Sequence, residues 1–252
     1  MLNIVVPMAG RGSRFANAGY ALPKPLLPIR ETPMIEVVVN NLRPKGEHRF
    51  IFICLTEHIK QYDLRQKLSE ISPGCEVIPV STVTEGAACT VLLAEQFIDN
   101  ANPLMIANSD QYVDIDINAY LKSGEHADGF MMTMTAGDNR WSFIRLDDNG
   151  LVTEVREKEV ISNEATVGIY NFARGADFVS GAEEMIDQDI RVNDEFYVAP
   201  VYNMLIERGL KFTYYNIGAL DDGMYGLGVP EDLEKFVGLA VCDRALKKNT
   251  RV

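Results

Sequence analysis

The sequence is poor in the residues that most often carry covalent or metal chemistry. Its three histidines, His48, His58 and His126, are scattered with no metal-ligand spacing. Its four cysteines, Cys54, Cys75, Cys89 and Cys242, lie far apart and form no CxxC pair. That excludes a zinc ribbon or a disulfide scaffold and fits free thiols in a reducing cytosol. No apolar run approaches the roughly 18 residues of a transmembrane helix. The apolar start, Met1–Pro7, has no basic lead-in and runs straight into glycines, so it reads as a buried strand and not as a signal peptide. Positive charge is also scarce: 24 Lys and Arg stand against 36 Asp and Glu, a net charge of −12. A chain this acidic is a poor partner for duplex nucleic acid or for an anionic membrane. It can still hold a small phosphate if its few cations converge on one pocket. The expectation is a cytoplasmic protein with neither a nucleic-acid nor a membrane partner; a homo-oligomer is allowed.

What is present is an ordinary globular composition, 47% hydrophobic and 24% charged, which leaves no case for disorder. No repeat, low-complexity stretch or linker rich in Pro, Gly or Ser cuts the chain. Leu2–Pro7 reads as a strand followed at once by the glycine loop Gly10–Gly12. Thr32-Pro33 reads as a helix N-cap with proline at the first helical position, and the helix runs from Met34 to about Leu42. Phe50–Leu55 is continuously apolar, as a parallel strand covered on both faces should be. Helical spacing over Glu57–Ile71 puts Ile59, Tyr62, Leu64 and Leu68 on one face. Val77–Val80, a helix over Gly86–Phe97, and Pro103–Ala107 follow. This alternation predicts a parallel, doubly wound sheet with right-handed crossovers. Ligands of such sheets bind beyond the carboxyl ends of the strands, where Gly10–Gly12 and Asp110 both fall.

After about residue 129 the pattern changes. Gly129–Thr135, Trp141–Leu146, Val152–Val155, Val167–Phe172 and Phe212–Asn216 read as strands. Asp147-Asp148-Asn149-Gly150 has the composition of a hairpin turn. Helices are expected over Ala176–Asp187, over Phe196–Glu207, and from Pro230 to about Leu246. The cluster Met131, Met132 and Met134 is read as core. The second half extends the same sheet, giving a Rossmann-like, doubly wound mixed β-sheet flanked by helices in one domain over residues 1–252.

The strongest chemical signal is Pro7-Met8-Ala9-Gly10-Arg11-Gly12-Ser13-Arg14-Phe15, followed by Pro23-Lys24-Pro25. A glycine-rich loop after a strand lets backbone N–H groups approach a polyphosphate. Arg14 adds a cation able to bond in two places at once, and Lys24 is a second cation held between prolines. The dinucleotide pattern GxGxxG fails because Phe15 stands at its third glycine, and the P-loop pattern GxxxxGK[ST] is absent. Taken singly, each feature has a plainer reading. The loop could be a surface turn, Glu85 a solvated acid, and Asp110 a turn residue. Arg156-Glu157-Lys158-Glu159 could be a solvated charge run, and Asp138-Asn139-Arg140 is more simply a polar turn.

Together these residues resemble the sugar-phosphate nucleotidyltransferase family. The matching segments are Gly10-x-Gly12-Ser13-Arg14, Pro23-Lys24-Pro25-Leu26, Glu85-Gly86-Ala87, Asp110, Glu157-Lys158, Val167-Gly168-Ile169-Tyr170 and Gly228-Val229-Pro230-Glu231-Asp232-Leu233. The resemblance implies a nucleotide-diphospho-sugar transferase fold, with a nucleotide-binding half over 1–128 and an acceptor-binding half over 129–252. It implies transfer from a nucleoside triphosphate to a phosphorylated acceptor with release of pyrophosphate, Mg²⁺ being the cofactor. Arg14 and Lys24 would act in catalysis. Met8, Ala9, Gly10, Arg11, Gly12, Ser13, Glu85, Gly86 and Ser109 would bind the nucleotide. Glu157, Lys158 and Gly168 would bind the acceptor, and Asp110 the metal. Gly19-Tyr20 and Met224-Tyr225-Gly226-Leu227-Gly228 look closest to bacterial capsule-associated members, some of which join CTP to small acceptors including phosphoglutamine.

One departure stands out. The family carries a second metal-binding aspartate two residues before the glycine matched by Gly228, and here that residue is Gly226. Asp221 and Asp222, just upstream, are the candidates to replace it. Two other readings remain at this point. A nucleotide-sugar glycosyltransferase would use a DxD motif, and Asp114-Ile115-Asp116 has that spacing but reads as the start of a helix. A non-catalytic nucleotide-binding regulator would explain Gly226, but not the joint presence of Arg14, Lys24, Asp110 and Lys158.

Overall fold

A computed structural model describes residues 1–247; residues 248–252, the tail of the single domain expected over 1–252, lie outside the described residues. The chain begins with β1 (Leu2–Met8), a short helix α1 (Ser13–Asn17) and a single 3₁₀ turn at Lys24–Leu26. A small hairpin of β2 (Pro28–Ile29) and β3 (Thr32–Pro33) leads into α2 (Met34–Leu42) and β4 (His48–Leu55). Then come α3 (Thr56–Gln61), α4 (Leu64–Ile71), β5 (Glu76–Val80), α5 (Ala87–Leu92), α6 (Glu95–Ile98) and β6 (Leu104–Ala107). Next are β7 (Gln111–Val113), α7 (Ile117–Ser123), β8 (Gly129–Thr135), β9 (Ser142–Leu146), β10 (Val152–Glu157) and β11 (Glu164–Phe172). The remainder is α8 (Gly175–Asp187), α9 (Val201–Glu207), β12 (Phe212–Leu220), β13 (Gly223–Gly226), α10 (Pro230–Gly238) and α11 (Ala240–Lys247).

Eleven strands form one mixed sheet. Its main path runs β5-β4-β1-β6-β11-β8-β12-β13-β7, and the β9–β10 hairpin joins beside β11. The four strands β5, β4, β1 and β6 are parallel, as the βαβ alternation of the first half requires. The direction reverses at β11, which is antiparallel to both β6 and β8. Apolar side chains alternate between the two covered faces. Ile4, Val6, Phe50 and Phe52 pack with α2 in one cluster, and Val5, Ile51 and Ile53 pack with α5 and α8 in the other. This is why β4 reads as an unbroken apolar run. Met131, Met132 and Met134 are fully buried. The architecture is therefore α/β, Rossmann-like, with helices on both faces of a mixed sheet. No helix among the described residues is long and apolar enough to cross a membrane.

Several local expectations change. Thr32-Pro33 is not a cap but half of the β2–β3 hairpin, and Pro33 precedes α2 without any side-chain capping bond. The helix expected over Glu57–Ile71 is broken at Asp63, whose φ of 49° is left-handed; Leu64 and Leu68 are buried, while Ile59 and Tyr62 are partly covered. The Gly86–Phe97 helix splits into α5 and α6, and the last helix divides at Leu239. The helix expected from Phe196 begins only at Val201, because Pro200 cannot sit inside it. Asp116 caps α7 by accepting from the backbone N–H of Asn118, so Asp114-Ile115-Asp116 leads into a helix, as expected from the sequence.

Candidate active site

The glycine loop leaves the end of β1 and turns into α1 through Gly12, whose φ of 61° is left-handed. A Cβ on Gly12 would stand 3.3 Å from the Lys24 Cβ, so the loop and the Pro-Lys-Pro segment lie directly against each other. Pro23 and Pro25 restrict the backbone on both sides of Lys24, and its side chain crosses to the far end of β6. There Lys24 Nζ donates to Asp110 Oδ2 at 2.7 Å, both side chains about one-quarter exposed. A pocket of ≈ 210 Å³ opens beside this pair, lined by Met8, Gly10, Ser109 and Asp110 among others. Ala9 is buried beneath the loop, while Arg11 and Ser13 are exposed on it.

A wider cleft of ≈ 1030 Å³ adjoins Asp110 and holds Arg14, Arg140, Glu157 and Lys158. Lys158 follows β10 in a left-handed conformation, φ 57°. Its Nζ donates to the Tyr197 hydroxyl at 2.5 Å and lies 4.6 Å from that ring's centroid. The bond to Tyr197 holds the Lys158 ammonium above its ordinary pKa, so the cation is secure at neutral pH. Glu157, on the same cleft, accepts from the Ser142 hydroxyl. Gly168 (φ 77°) keeps β11 close to the end of β6, since a Cβ there would overlap the Asn108 amide at 2.0 Å. Glu85 and Gly86, expected to bind the nucleotide, line none of these pockets; only their neighbour Ala87 borders the one at Gly168. Phe196 N donates to Glu85 O at 2.8 Å, and a Cβ on Gly86 would lie 2.3 Å from Phe196 O. The Glu85 carboxylate itself pairs with Arg191 at 2.7 Å.

Burial raises the Glu157 pKa, with the bond from Ser142 opposing the rise. The folded chain therefore keeps this proton to a higher pH than the unfolded chain does. Stability must fall as pH climbs from the ordinary carboxylate range through the raised pKa. Glu157→Gln is accordingly expected to melt higher than the parent at about pH 7.5 and to lose that advantage near about pH 4, where both states bind the proton. Thermal melts across that range check it; a constant difference would mean that Glu157 titrates alike in both states.

The place of the missing aspartate is filled from another element. Asp232, in the first turn of α10, brings Oδ2 to 3.2 Å from where a Cβ on Gly226 would stand. Gly228 likewise leaves room for Asp110, whose Oδ2 would lie 2.9 Å from a Cβ there. Both carboxylates line the wide cleft. Asp221 and Asp222 do not border it: Asp221 is tied to Lys235 at 2.5 Å, and Asp222 lies in the tight turn between β12 and β13. Among the described residues no group of three or more acidic, His or Cys side chains is placed so as to hold a metal ion. Two oxygen-donor carboxylates with open glycine backbone beside them fit a hard cation that takes its other ligands from substrate phosphates and water.

Four side chains that pattern reading did not assign to the site face these pockets. Asn108 lines all three of the pockets around Asp110 and Gly168, at the junction of the two halves. Arg140 and Trp141 border both the cleft and the pocket at Gly168. Tyr197 holds Lys158 from the segment before Pro200. The sequence did carry one usable signal for Tyr197. Asn193 and Asp194 both have positive φ and close a small β-bridge between Val192 and Glu195, a turn that Asn-Asp favours and that excludes helix.

The nucleotidyl transferase family matches residues 4–199, which include the glycine loop, Lys24, Asp110 and Lys158. The chain is 24% identical over 254 residues to the low-salt glycan biosynthesis nucleotidyltransferase Agl11 of Haloferax volcanii, covering 98% of this chain and 68% of that protein. It is 23% identical over 241 residues to the D-glycero-alpha-D-manno-heptose 1-phosphate guanylyltransferase of Campylobacter jejuni, covering 94% and 99%. The nucleoside-diphosphate-sugar pyrophosphorylase of Vibrio cholerae superposes with a TM-score of 0.83 at 28% identity, covering 94% of this chain and all of that one. A match of that extent, carried through the segments that build the cleft, makes this chain a member of the nucleotidyl transferase family, among the sugar-phosphate nucleotidyltransferases.

Proposed function

We propose that this nucleotidyltransferase joins a nucleoside triphosphate, with CTP favoured, to a small phosphorylated acceptor such as a sugar 1-phosphate or a phosphoglutamine-like compound. The observation that carries the reading is the Lys24–Asp110 pair, which stands between the pocket at the glycine loop and the cleft containing Lys158. Both substrates are anions, so their meeting requires that charge be offset on each side of the bond being made. Loop N–H groups around Gly10 and Gly12, with Arg14, hold the β- and γ-phosphates. Lys24 reaches the α-phosphate, where negative charge builds in the transition state. Lys158 holds the acceptor phosphate in line. One acceptor oxygen then bonds to the α-phosphorus while the α–β phosphoanhydride bond breaks, and the electron pair leaves with pyrophosphate. A phosphate oxygen is already a nucleophile near neutral pH, so no histidine or thiolate base is needed. The cysteines suit that view, since burial pushes the Cys54 thiol up to about 12 and raises the other three.

Asp110 and Asp232 would hold Mg²⁺, which when bound offsets phosphate charge and orients the triphosphate. The preference for CTP rests on the resemblance of Gly19-Tyr20 and Met224–Gly228 to capsule-associated members. A role in precursors of capsule or other surface polysaccharide rests on the same resemblance.

The direct test is pyrophosphate release from four nucleoside triphosphates, each paired with sugar 1-phosphates, phosphocholine and phosphoglutamine. Release with none would overturn the reading. Lys158→Ala separates the two substrates. It should lower kcat/KM for the acceptor by about 10- to 100-fold through KM, the scale of one lost charged hydrogen bond. Nucleotide affinity by calorimetry should change little. Equal weakening of both would break the two-subsite layout.

A further inference from the structure

Lys158 belongs to the second half of the chain, yet what aims its ammonium is fastened to the first. A lysine stem is flexible, so the charge at its end has no fixed place of its own. The Lys158 backbone is anchored, its N–H donating to Trp141 O at 3.0 Å. Its Nζ meets one hydrogen-bond acceptor among the described residues, the Tyr197 hydroxyl at 2.5 Å. Tyr197 in turn stands on a segment with little freedom. Its neighbours Phe196, Val198 and Ala199 are buried in the cluster that holds Ala88 and Val91 of α5. Phe196 bonds residues 85–88 through both of its backbone groups: its N–H donates to Glu85 O at 2.8 Å, and its carbonyl accepts from Ala88 N at 3.0 Å. The Glu85 carboxylate adds a further tie, to Arg191 at 2.7 Å, and the Arg191 guanidinium lies 4.0 Å from the centroid of the Phe196 ring.

Tyr197 therefore connects residues 85–88 of the first half to the Lys158 ammonium of the second. We propose that Tyr197 is a positioning residue, fixing the Lys158 ammonium, and with it the acceptor phosphate, at one distance from the Lys24–Asp110 pair. This rests on the nucleotidyltransferase reading of the cleft. The hydroxyl accepts one N–H of the ammonium and leaves the others for phosphate. In-line transfer falls off steeply when the reacting atoms are misplaced, even where binding is hardly altered. An untethered Lys158 would still attract the acceptor but would hold it loosely. Tyr197 thus governs the rate of transfer more than the affinity for the acceptor.

Tyr197→Phe keeps the ring that faces the ammonium and removes only the hydroxyl. With CTP, or whichever triphosphate the pyrophosphate screen selects, the acceptor is the most active of glucose 1-phosphate, phosphocholine and phosphoglutamine. The kcat should fall about tenfold or more while acceptor KM changes by less than about threefold. Nucleotide Kd by calorimetry should stay within about twofold of the parent. In a Lys158→Ala background the same substitution should cost less than about twofold, because no ammonium is left to aim. A tyrosine needed only for packing would cost as much without Lys158 as with it. A readout independent of turnover is acetylation of Lys158 by acetic anhydride, followed by peptide mass spectrometry. It should run about threefold faster or more in Tyr197→Phe, since the ammonium loses the bond that holds its proton. Unchanged kcat, a loss that persists undiminished without Lys158, or equal acetylation in parent and variant would each overturn the proposal. If the parent releases no pyrophosphate with any pair, the nucleotidyltransferase reading fails instead, and the acetylation rates still decide whether Tyr197 holds the ammonium.

Discussion

Lys24→Met is expected to lower kcat by about 100- to 1,000-fold, the range found when one preorganised donor is taken from developing charge. The methionine keeps the unbranched stem that packs against Gly12, so the loop should retain its shape. What disappears is the ammonium 2.7 Å from Asp110, at the boundary of the two pockets. Its charge counts more in the transition state than in the ground state, because the α-phosphorus gains negative charge only as the acceptor attacks. The loss should therefore fall on kcat with a smaller change in nucleotide Kd. Folding should suffer little. The ion pair is about one-quarter exposed on both sides, and such pairs contribute about 1 kcal/mol or less. Single-turnover rates and melting curves on the same preparations check both halves. A drop in rate of less than about tenfold would move Lys24 away from the reacting centre.

Much of the first half could be read from residue order because its strands are covered on both faces and its crossovers are short. Phe50–Leu55 needed only its continuous apolar character to mark a parallel strand, and Leu2–Pro7 its apolar run from Ile4 into the glycine loop. The short pieces were illegible for an equally physical reason. β7 and β13 have three and four residues, too few for a period to emerge, and they exist only because they pair with each other and with β12. The helix break at Asp63 carries no glycine or proline to announce it, whereas Gly238 stands directly before the break at Leu239. Pro200 did announce its break, and a helix drawn through it ignores a missing N–H. The site divides in the same way. Arg14 and Asp110 stood out because they followed predicted strand ends, and Lys24 because prolines flank it on both sides. Tyr197 and Asp232 gain their significance from neighbours that the topology supplies: Lys158 and the bare Cα of Gly226. No spacing rule in a single sequence brings those pairs together.

Asp110→Asn is expected to cost about 100-fold or more in kcat/KM, for a reason separable from Lys24. Asparagine keeps a carbonyl oxygen able to accept from Lys24 Nζ, so the local geometry should survive while one negative charge is lost. Two effects of that loss oppose each other. Phosphate anions meet less repulsion, which favours nucleotide binding without metal. A divalent cation loses one of the two carboxylates, Asp110 and Asp232, that would hold it, which disfavours its binding strongly. Titration of Mn²⁺ into the nucleotide complex therefore decides the matter without reference to turnover. Weaker Mn²⁺ binding together with equal or tighter metal-free nucleotide binding is the expected pattern, and Asp232→Asn should show a milder form of it. Mn²⁺ affinity equal to that of the parent in both variants would remove the carboxylates from any metal site. The double variant Lys24→Met/Asp110→Asn supplies the internal check. If the two side chains act on one reacting phosphate, its loss in rate should be well short of the product of the single losses, because directly paired groups are not independent.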